Sequence, residues 1–157
     1  MKLGLTSEAK QKHMRVYAPF VAWLTDATFS AGTEVIDSRY KNFRFRAGDV
    51  IADNASSGAW ATGSIVVKPD DIDLLAEKVE VYVDSKLEHT GTGADEQGHP
   101  GEALTLAAND LARRSLAIEA GQMVSTGGIT DAVFAPPGST VTCKFSTLGE
   151  ITIKGDN

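Results

Sequence analysis

The segment KVEVYVDSKLEHT, residues 78–90, carries the strongest structural signal in the chain. Its two runs, residues 78–83 and 86–90, alternate polar and apolar side chains, as strands with one buried face do. Asp84 and Ser85 between the runs are residue types that favour tight turns. The segment therefore predicts a β-hairpin whose apolar face packs on a core.

A helix is predicted downstream of this hairpin, over residues 100–114. Apolar residues recur at the i, i+3, i+4, i+7 and i+8 spacing of an amphipathic helix: Leu104, Ala107, Ala108, Leu111 and Ala112. Pro100 suits the first turn, where its missing N–H is not needed, and Arg113 and Arg114 suit the C-terminal end of the helix dipole. His99 is expected to fix the start of this helix by hydrogen bonding, in preference to binding a metal.

Shorter runs of apolar and β-branched residues complete the predicted elements. Strands are expected at residues 64–68, 122–125, 141–145 and 151–153, and residues 20–24 are a strand or a turn. A short helix is expected within residues 5–14, ending before Pro19. About six strands with one long and one short helix, and no regular βαβ alternation, predict a single β-dominated α+β domain over residues 1–157.

Composition excludes several classes of protein. The chain has 157 residues and a net charge of −6, which argues against nucleic acid as a partner because phosphate binding needs a clustered basic surface. A single cysteine, Cys143, precludes an internal disulfide and is expected to pack in the core. The absence of a long apolar run or an apolar leader predicts a cytoplasmic protein without a membrane partner.

Polar side chains are concentrated in EVIDSRYKNF, residues 34–43, and ADNASS, residues 52–57. An apolar strand beginning near Glu34 leads into an acid, a hydroxyl and a guanidinium at Asp37, Ser38 and Arg39. These residues alone are equally consistent with a strand that ends in a solvated turn, with Asp37 and Arg39 as a surface ion pair. Glu34 is the best single candidate for a metal ligand, because Mg²⁺ and Mn²⁺ prefer carboxylate oxygens.

Five motifs together resemble one enzyme family. EVIDSRYKNF, VIADNASS at 50–57, GHP at 98–100, TGGIT at 126–130 and the opening KLGLTSEAKQKHM are similar to the 4-oxalocrotonate decarboxylase and 2-hydroxypentadienoate (vinylpyruvate) hydratase family. IDSRYKNF and TGGIT resemble the decarboxylase branch more than the hydratases. The resemblance implies a fumarylacetoacetate-hydrolase-like fold, in which a curved mixed sheet rolls into a partly open barrel.

The resemblance also implies a site. Glu34 matches one of three carboxylate ligands of a divalent cation, Mg²⁺ or Mn²⁺, which would stabilise the dienolate formed from a small 2-oxo dicarboxylic acid as CO₂ leaves. Lys2 and Asp26 match residues with a catalytic role. Seven residues match or adjoin positions expected to contact the substrate: Arg39, Asp53, Asn54, Ser56, Ser57, Thr126 and Gly127.

The sequence departs from the family pattern in two places. Family members carry a region before the segment that matches Lys2, and a long insert between the positions of Gly32 and Thr33 that contains an E-x-E pair, the other two metal ligands. The domain is therefore expected to be incomplete, with a junction near residues 32–33. Either it is a shortened family member, or the natural protein contains segments that this sequence lacks. Whether Asp37, Asp53 or Glu96 substitutes as a ligand stays open.

Three functions follow from the resemblance. The first is metal-dependent decarboxylation of 4-oxalocrotonate (2-oxo-3-hexenedioate) to 2-hydroxypentadienoate in the meta-cleavage catabolism of aromatics. The second is hydration of 2-hydroxypentadienoate, and the third is a non-catalytic, truncated member without a complete metal site. A homo-oligomer is expected because missing strands would leave sheet edges unpaired. The resemblance also implies a hydratase partner, since decarboxylases and hydratases of the family associate.

Overall fold

The computed structural model describes residues 14–23 and 28–156. Ten strands lie in these ranges: β1 Met14–Tyr17, β2 Pro19–Trp23, β3 Thr28–Ile36, β4 Ser57–Val67, β5 Lys78–Val83, β6 Lys86–Thr92, β7 Met123–Gly128, β8 Val133–Ala135, β9 Thr140–Phe145 and β10 Gly149–Lys154. The α-helices are α1, Ala47–Ala52, and α2, Pro100–Arg113. Short 3₁₀ turns occupy Lys41–Phe43, Asn54–Ser56, Pro69–Asp71 and Gly93–Asp95.

The strands form two antiparallel sheets. In the first sheet β3 is central: β4 pairs with one side of it, β1 and β2 share the other, and β8 and β7 lie outside them. The second sheet has the order β10, β9, β5, β6. The prediction of a β-dominated α+β domain with one long helix is confirmed.

The predicted hairpin is confirmed as β5 and β6. Val79, Val81 and Val83 are buried, while the residues between them are at least partly exposed. Asp84 and Ser85 have φ values of 48° and 69°, as a two-residue hairpin turn of the right twist requires. The turn is tied to β9 by the Thr140 N–H, which donates to Asp84 Oδ1 at 2.8 Å.

The core lies between the two sheets and contains mostly β-branched and aromatic side chains. Phe20 of β2 and Phe145 of β9 meet there, with ring centroids 6.1 Å apart. Cys143 is fully buried, as predicted, and burial raises the pKa of its thiol to about 11. This cysteine is therefore a packing residue.

Helix α2 begins as predicted, because His99 Nδ1 accepts a hydrogen bond from the Gly101 N–H at 2.9 Å. Only part of its predicted apolar stripe is covered. Leu104 packs against the core, but Ala108 and Ala112 are exposed in the described part of the chain. The helix therefore contacts the first sheet, chiefly β7, along one side.

Several predicted elements were wrong or incomplete. Residues 14–17 form β1, so Met14, the last residue of the range 5–14 predicted to contain a short helix, lies in a strand. Residues 1–13 lie outside the described ranges. The strand predicted at residues 64–68 begins earlier, at Ser57, because β4 pairs with β3 from Ser57 to Val67. The register of this pairing shifts at Gly58 and again between Thr62 and Val66. β8 was not predicted.

The expected junction near residues 32–33 falls inside β3. This strand runs without a break from Thr28 to Ile36, and β4 pairs with both Gly32 and Thr33. On the other side β2 pairs up to Ala31 and β1 from Glu34. A Cβ on Gly32 would lie 2.8 Å from the Val21 side chain and 2.9 Å from the Pro19 carbonyl oxygen, so the position requires glycine. Among the described residues, no helix has the length and apolar character needed to cross a membrane.

Candidate functional site

A cavity of about 370 Å³ opens where β2, β3, β4 and β7 meet, and it is the best candidate site. Its lining residues are Pro19, Val21, Thr33, Glu34, Asn54, Ser57, Trp60, Ala61, Met123 and Ser125. Three of these were named from the sequence: Glu34, Asn54 and Ser57. The cavity combines an apolar wall with a small set of oxygen and nitrogen groups, as sites for small organic acids do.

Glu34 reaches the cavity from the middle of the first sheet. Its Cα pairs with Tyr17 of β1 on one side and Trp60 of β4 on the other, and the residue is 8% exposed. Burial of a carboxylate on a central strand costs free energy unless the group is hydrogen-bonded, paired with a charge or bound to a metal ion. It belongs to β3, which has strands paired along both edges and buries side chains on both faces.

Asp53 organises the loop that follows β3. Its Oδ2 accepts hydrogen bonds from the Arg39 N–H at 3.1 Å, the Ser56 hydroxyl at 3.0 Å and the Ser38 hydroxyl at 3.3 Å. Arg39 Nη1 lies 3.3 Å from Asp53 Oδ1 and donates to the Asp53 carbonyl at 2.9 Å, and Nη2 donates to the Ser57 carbonyl at 3.2 Å. The partner of Arg39 is thus Asp53, and not Asp37 as the surface-pair interpretation had it.

The charge state of Asp53 follows from these contacts. Burial acts to raise its pKa, but hydrogen bonds from the Arg39 N–H, Ser56 and Ser38 and the charge of Arg39 together lower it below the usual value. Asp53 is therefore an ionised carboxylate whose hydrogen-bonding capacity is used within the loop.

The loop held by Asp53 has a strained backbone. Asn54, Ala55 and Ser56 have φ values of 51°, 54° and 60°, which is the left-handed region that non-glycine residues rarely adopt. This conformation brings Asn54 and Ser57 to the cavity lining. Arg39, Asp53 and Ser56 are not lining residues, and the structure places them behind the loop as its support.

The predicted substrate contacts on β7 lie away from the cavity. Ser125 lines the cavity, and because successive strand residues face opposite ways, Thr126 points into the protein. The Thr126 hydroxyl oxygen lies 2.9 Å from Glu96 Oε2 and 3.2 Å from the Phe20 carbonyl oxygen. Gly127 follows with a φ of 127°. Thr126 and Gly127 therefore contact Glu96 and not the cavity.

The remaining site predictions concern catalysis and metal binding. Lys2 and Asp26 lie outside the described residues. Within residues 14–23 and 28–156, no group of three or more His, Cys, Asp or Glu side chains is placed to hold a metal ion. Asp53 and Glu96 therefore do not join Glu34 in such a group, and neither does Asp37. A single lining carboxylate does not by itself fit a divalent cation that takes several oxygen ligands.

Sequence analysis missed Trp60 and Ser125, and it named Glu96 only as a possible substitute metal ligand. The alternation of β7 would have placed Ser125 on the same face as Met123 once the strand was known. Glu96 lies in the glycine-rich loop before α2, and no local pattern marks it as buried.

The chain is similar to several curated enzymes. It is 40% identical over 121 residues to a 4-oxalocrotonate decarboxylase of Pseudomonas putida, a match that covers 77% of this chain and 46% of the relative. A 2-keto-4-pentenoate hydratase of Paraburkholderia phymatum is 33% identical, with the same coverage of 77% and 46%. The chain thus spans about half the length of the curated relatives it matches. No family model matches the chain.

Solved structures give the same relationship. The 4-oxalocrotonate decarboxylase from Pseudomonas putida G7, complexed with magnesium and adipate, superposes with a TM-score of 0.86 and 32% identity, over 91% of this chain and 60% of that one. A fumarylacetoacetate hydrolase from Exiguobacterium antarcticum has a TM-score of 0.70 at 13% identity, over 99% and 61%. With the fumarylacetoacetate-hydrolase-like fold and this sequence similarity, the chain is similar to members of the 4-oxalocrotonate decarboxylase and hydratase family, over about half of their length.

Proposed function

We propose that the cavity is the substrate site of a carbon–carbon lyase that acts on small 2-oxo dicarboxylic acids, most like 4-oxalocrotonate decarboxylase. The observation that carries the proposal is the 40% identity to a decarboxylase of that name over 77% of the chain. The hydratase relative is less similar, at 33%. Decarboxylation is therefore the first candidate and hydration of 2-hydroxypentadienoate the second.

The chemistry of the lining supports this choice. Asn54 and Ser57 offer an amide and a hydroxyl that can hydrogen-bond a carboxylate or a keto oxygen. Val21, Trp60 and Met123 provide an apolar wall suited to the unsaturated carbon chain of the substrate. A dicarboxylic acid of about six carbons fits these dimensions, and the related decarboxylase is complexed with adipate, an acid of that size.

The proposed reaction breaks the bond between the distal carboxylate of 2-oxo-3-hexenedioate and its neighbouring carbon. CO₂ leaves, the electron pair moves through the conjugated chain to the keto oxygen, and uptake of one proton gives 2-hydroxypentadienoate. Lys2 and Asp26 are the proposed proton-transfer residues. Asn54 and Ser57 would hold the substrate by its oxygens.

We propose a ligand for a divalent cation but no step of the reaction that uses it. The solved decarboxylase is complexed with magnesium, and Glu34 is the cavity residue that would hold Mg²⁺ or Mn²⁺ here. The donor set found among the described residues does not fit such an ion without further ligands. No step of the reaction is therefore assigned to it.

The direct test is substrate turnover. Incubation of the chain with 2-oxo-3-hexenedioate should release CO₂, and the Asn54→Ala variant should raise KM, because a substrate contact is lost. Asn109→Ala on the exposed face of α2 is the matched control and should leave KM unchanged. Turnover confined to 2-hydroxypentadienoate would contradict decarboxylation and support the hydratase.

A non-catalytic protein is the alternative that one observation favours, namely that no three-ligand group is found in the described ranges. Calorimetric titration with Mg²⁺ and Mn²⁺ separates the two cases. An active lyase should bind the ion, and Glu34→Gln should abolish that binding. If neither ion binds the parent chain, the non-catalytic protein is supported.

We also propose that the chain is a homo-oligomer that can associate with a hydratase. β4 is one of the outer strands of the described first sheet, together with β7 and β8, and it exposes Trp60, Ile65 and Val66. Val66→Lys should reduce the assembly size in light scattering because a charge would disrupt edge pairing. Leu106→Lys, at an exposed apolar position of α2, is the control because it adds the same charge away from the sheet edges. A monodisperse monomer in the parent chain would contradict self-association.

A further inference from the structure

The Thr126–Gly127 pair forms a β-bulge against Phe20. Pro19 pairs with Gly128 and Val21 pairs with Ser125, so Phe20 alone faces two residues of β7. Thr126 bridges this irregularity through its hydroxyl, which lies 3.2 Å from the Phe20 carbonyl oxygen. The bulge therefore depends on a side-chain hydrogen bond as well as on backbone pairing.

The number of hydrogens in this contact is informative. A threonine hydroxyl has one hydrogen, but its oxygen lies within bonding distance of two acceptors, Glu96 Oε2 at 2.9 Å and the Phe20 carbonyl oxygen at 3.2 Å. With an ionised Glu96, only one of the two contacts can be a full hydrogen bond. With a protonated Glu96, the carboxyl O–H donates to Thr126 and Thr126 donates to Phe20, so both are satisfied.

The second carboxyl oxygen of Glu96 also favours the protonated form. Glu96 is 3% exposed, and its Oε1 has no hydrogen-bond partner among the described residues. A buried carboxyl oxygen without a hydrogen-bond partner costs less free energy when the acid is neutral than when it is ionised. Burial raises the pKa of Glu96 to about 7, against the lowering effect of a hydrogen bond from Thr126.

Charged groups on the neighbouring elements do not neutralise Glu96. β2 and β7 contain no charged residue. Asp95 accepts from the Thr92 N–H, His99 accepts from the Gly101 N–H, and Glu77 accepts from the β9–β10 turn. Glu102 is exposed on the first turn of α2. Within the described part of the chain, Thr126 is the one side chain that hydrogen-bonds Glu96.

We propose that Glu96 is a positioning residue of the cavity, held as a neutral acid that donates to Thr126 and thereby locks the β2–β7 bulge. The lock acts on the cavity because Val21 and Ser125, which line it, are neighbours of Phe20 and Thr126. Ionisation of Glu96 turns the Thr126 hydrogen towards the carboxylate and releases the Phe20 carbonyl. The inference goes beyond the proposed reaction, since it holds for any ligand of the cavity.

Thermal unfolding against pH tests the protonation state. The folded pKa lies above the ordinary value of 4.5, so the proton is held more tightly in the folded protein, and stability falls as pH rises from about 4.5 to about 7. In Glu96→Gln the amide donates to Thr126 at every pH. The Tm of the parent chain, measured relative to that of Glu96→Gln, should fall by about 5 °C between pH 5 and pH 8.

Glu119→Gln is the matched control because it removes the same charge from an exposed position. It should keep the pH dependence of the parent chain. A constant Tm difference between the parent chain and Glu96→Gln at all these pH values would overturn the proposal. If Glu96→Gln does not fold, the change at the cavity wall should persist in Thr126→Ser and be lost in Thr126→Val, since only serine retains the hydroxyl that couples Glu96 to Phe20.

Tryptophan fluorescence tests the positioning role, because Trp60 lines the cavity. The emission of the parent chain should shift with a midpoint near pH 7, and the shift should be absent in Glu96→Gln and in Trp60→Phe. A shift that persists in Glu96→Gln would show that another group moves the cavity wall and would overturn the proposal. These outcomes are independent of CO₂ release, so failure of the proposed reaction is seen separately.

Discussion

Two buried glutamates in different regions of the molecule show how the same residue type acquires different roles. Glu77 and Glu96 are each 3% exposed. Glu77 Oε1 accepts hydrogen bonds from the Thr147 N–H at 2.7 Å and the Leu148 N–H at 3.2 Å, and Oε2 accepts from the Ser146 hydroxyl at 2.9 Å. Both oxygens of Glu77 are used, so this carboxylate anchors the turn between β9 and β10.

Glu96 has a single side-chain partner, and one of its oxygens is bare among the described residues. The two sheets also differ in the residue types that they bury. In the second sheet β5, β9 and β10 alternate buried apolar residues with more exposed ones, whereas β3 in the first sheet also buries Thr33 and Glu34. The comparison teaches that burial alone does not define the role of a carboxylate. Among the described residues, both oxygens of Glu77 have hydrogen-bond partners and only one oxygen of Glu96 has one.

The largest effect is expected where the two regions meet, at Phe20 and Phe145. Phe145→Ala should lower the free energy of unfolding by about 3–5 kcal/mol, because a buried ring is lost and a cavity remains. Denaturant unfolding measures it. Phe134→Ala, whose side chain is 55% exposed, should lose far less. Equal losses would show that the sheets do not depend on this contact.

Removal of the Glu77 carboxylate should have the next largest effect. Glu77→Ala leaves the N–H groups of Thr147 and Leu148 without their acceptor, and we expect a loss of about 2–4 kcal/mol in denaturant unfolding. Glu150→Ala, at an exposed position of β10, should stay within about 0.5 kcal/mol of the parent chain. If Glu77→Ala costs no more than Glu150→Ala, Glu77 does not anchor the turn.

A methyl group on Gly127 should disturb the Glu96 region specifically. Its Cβ would lie 3.1 Å from Glu96 Oε1, and its φ of 127° disfavours any other residue. Gly127→Ala should cost about 1–3 kcal/mol in thermal or denaturant unfolding. Gly48→Ala in α1, where nothing lies within 4 Å, should instead stabilise slightly. If Gly127→Ala leaves the free energy of unfolding unchanged, Glu96 is not packed against this turn.

The smallest expected effect is that of Asp53 on stability, and it is seen only at acidic pH. Its pKa is lowered in the folded protein, so its contribution is complete above the ordinary value of 3.8 and is lost as pH falls through the lower folded value. The parent chain should therefore lose stability below about pH 4, and Asp53→Asn should lose less over that range. Thermal unfolding between pH 2 and pH 5 measures the difference. Parallel curves would contradict the role of the Arg39 and serine contacts.

Much of the fold could be predicted because its signals are local. The β5–β6 hairpin follows from alternation over thirteen residues, and the start of α2 follows from His99 and Pro100. The burial of Cys143 follows from the pattern of its strand. The site could be predicted in part, since motifs alone named Glu34, Asn54 and Ser57, which line the cavity. Their catalytic or binding roles stay predictions.

The sequence by itself determined the hairpin, the helix start and the family resemblance, since each depends on residues close together or on motifs. Tertiary structure decided the state of the carboxylates. Asp53 and Glu96 both lie in loops, but one faces Arg39, 14 residues away, and the other faces Thr126, 30 residues away. Thr126 in turn contacts Phe20 across 106 residues. A pKa depends on what surrounds a group in space, and contacts over such separations exist only after the sheets have formed.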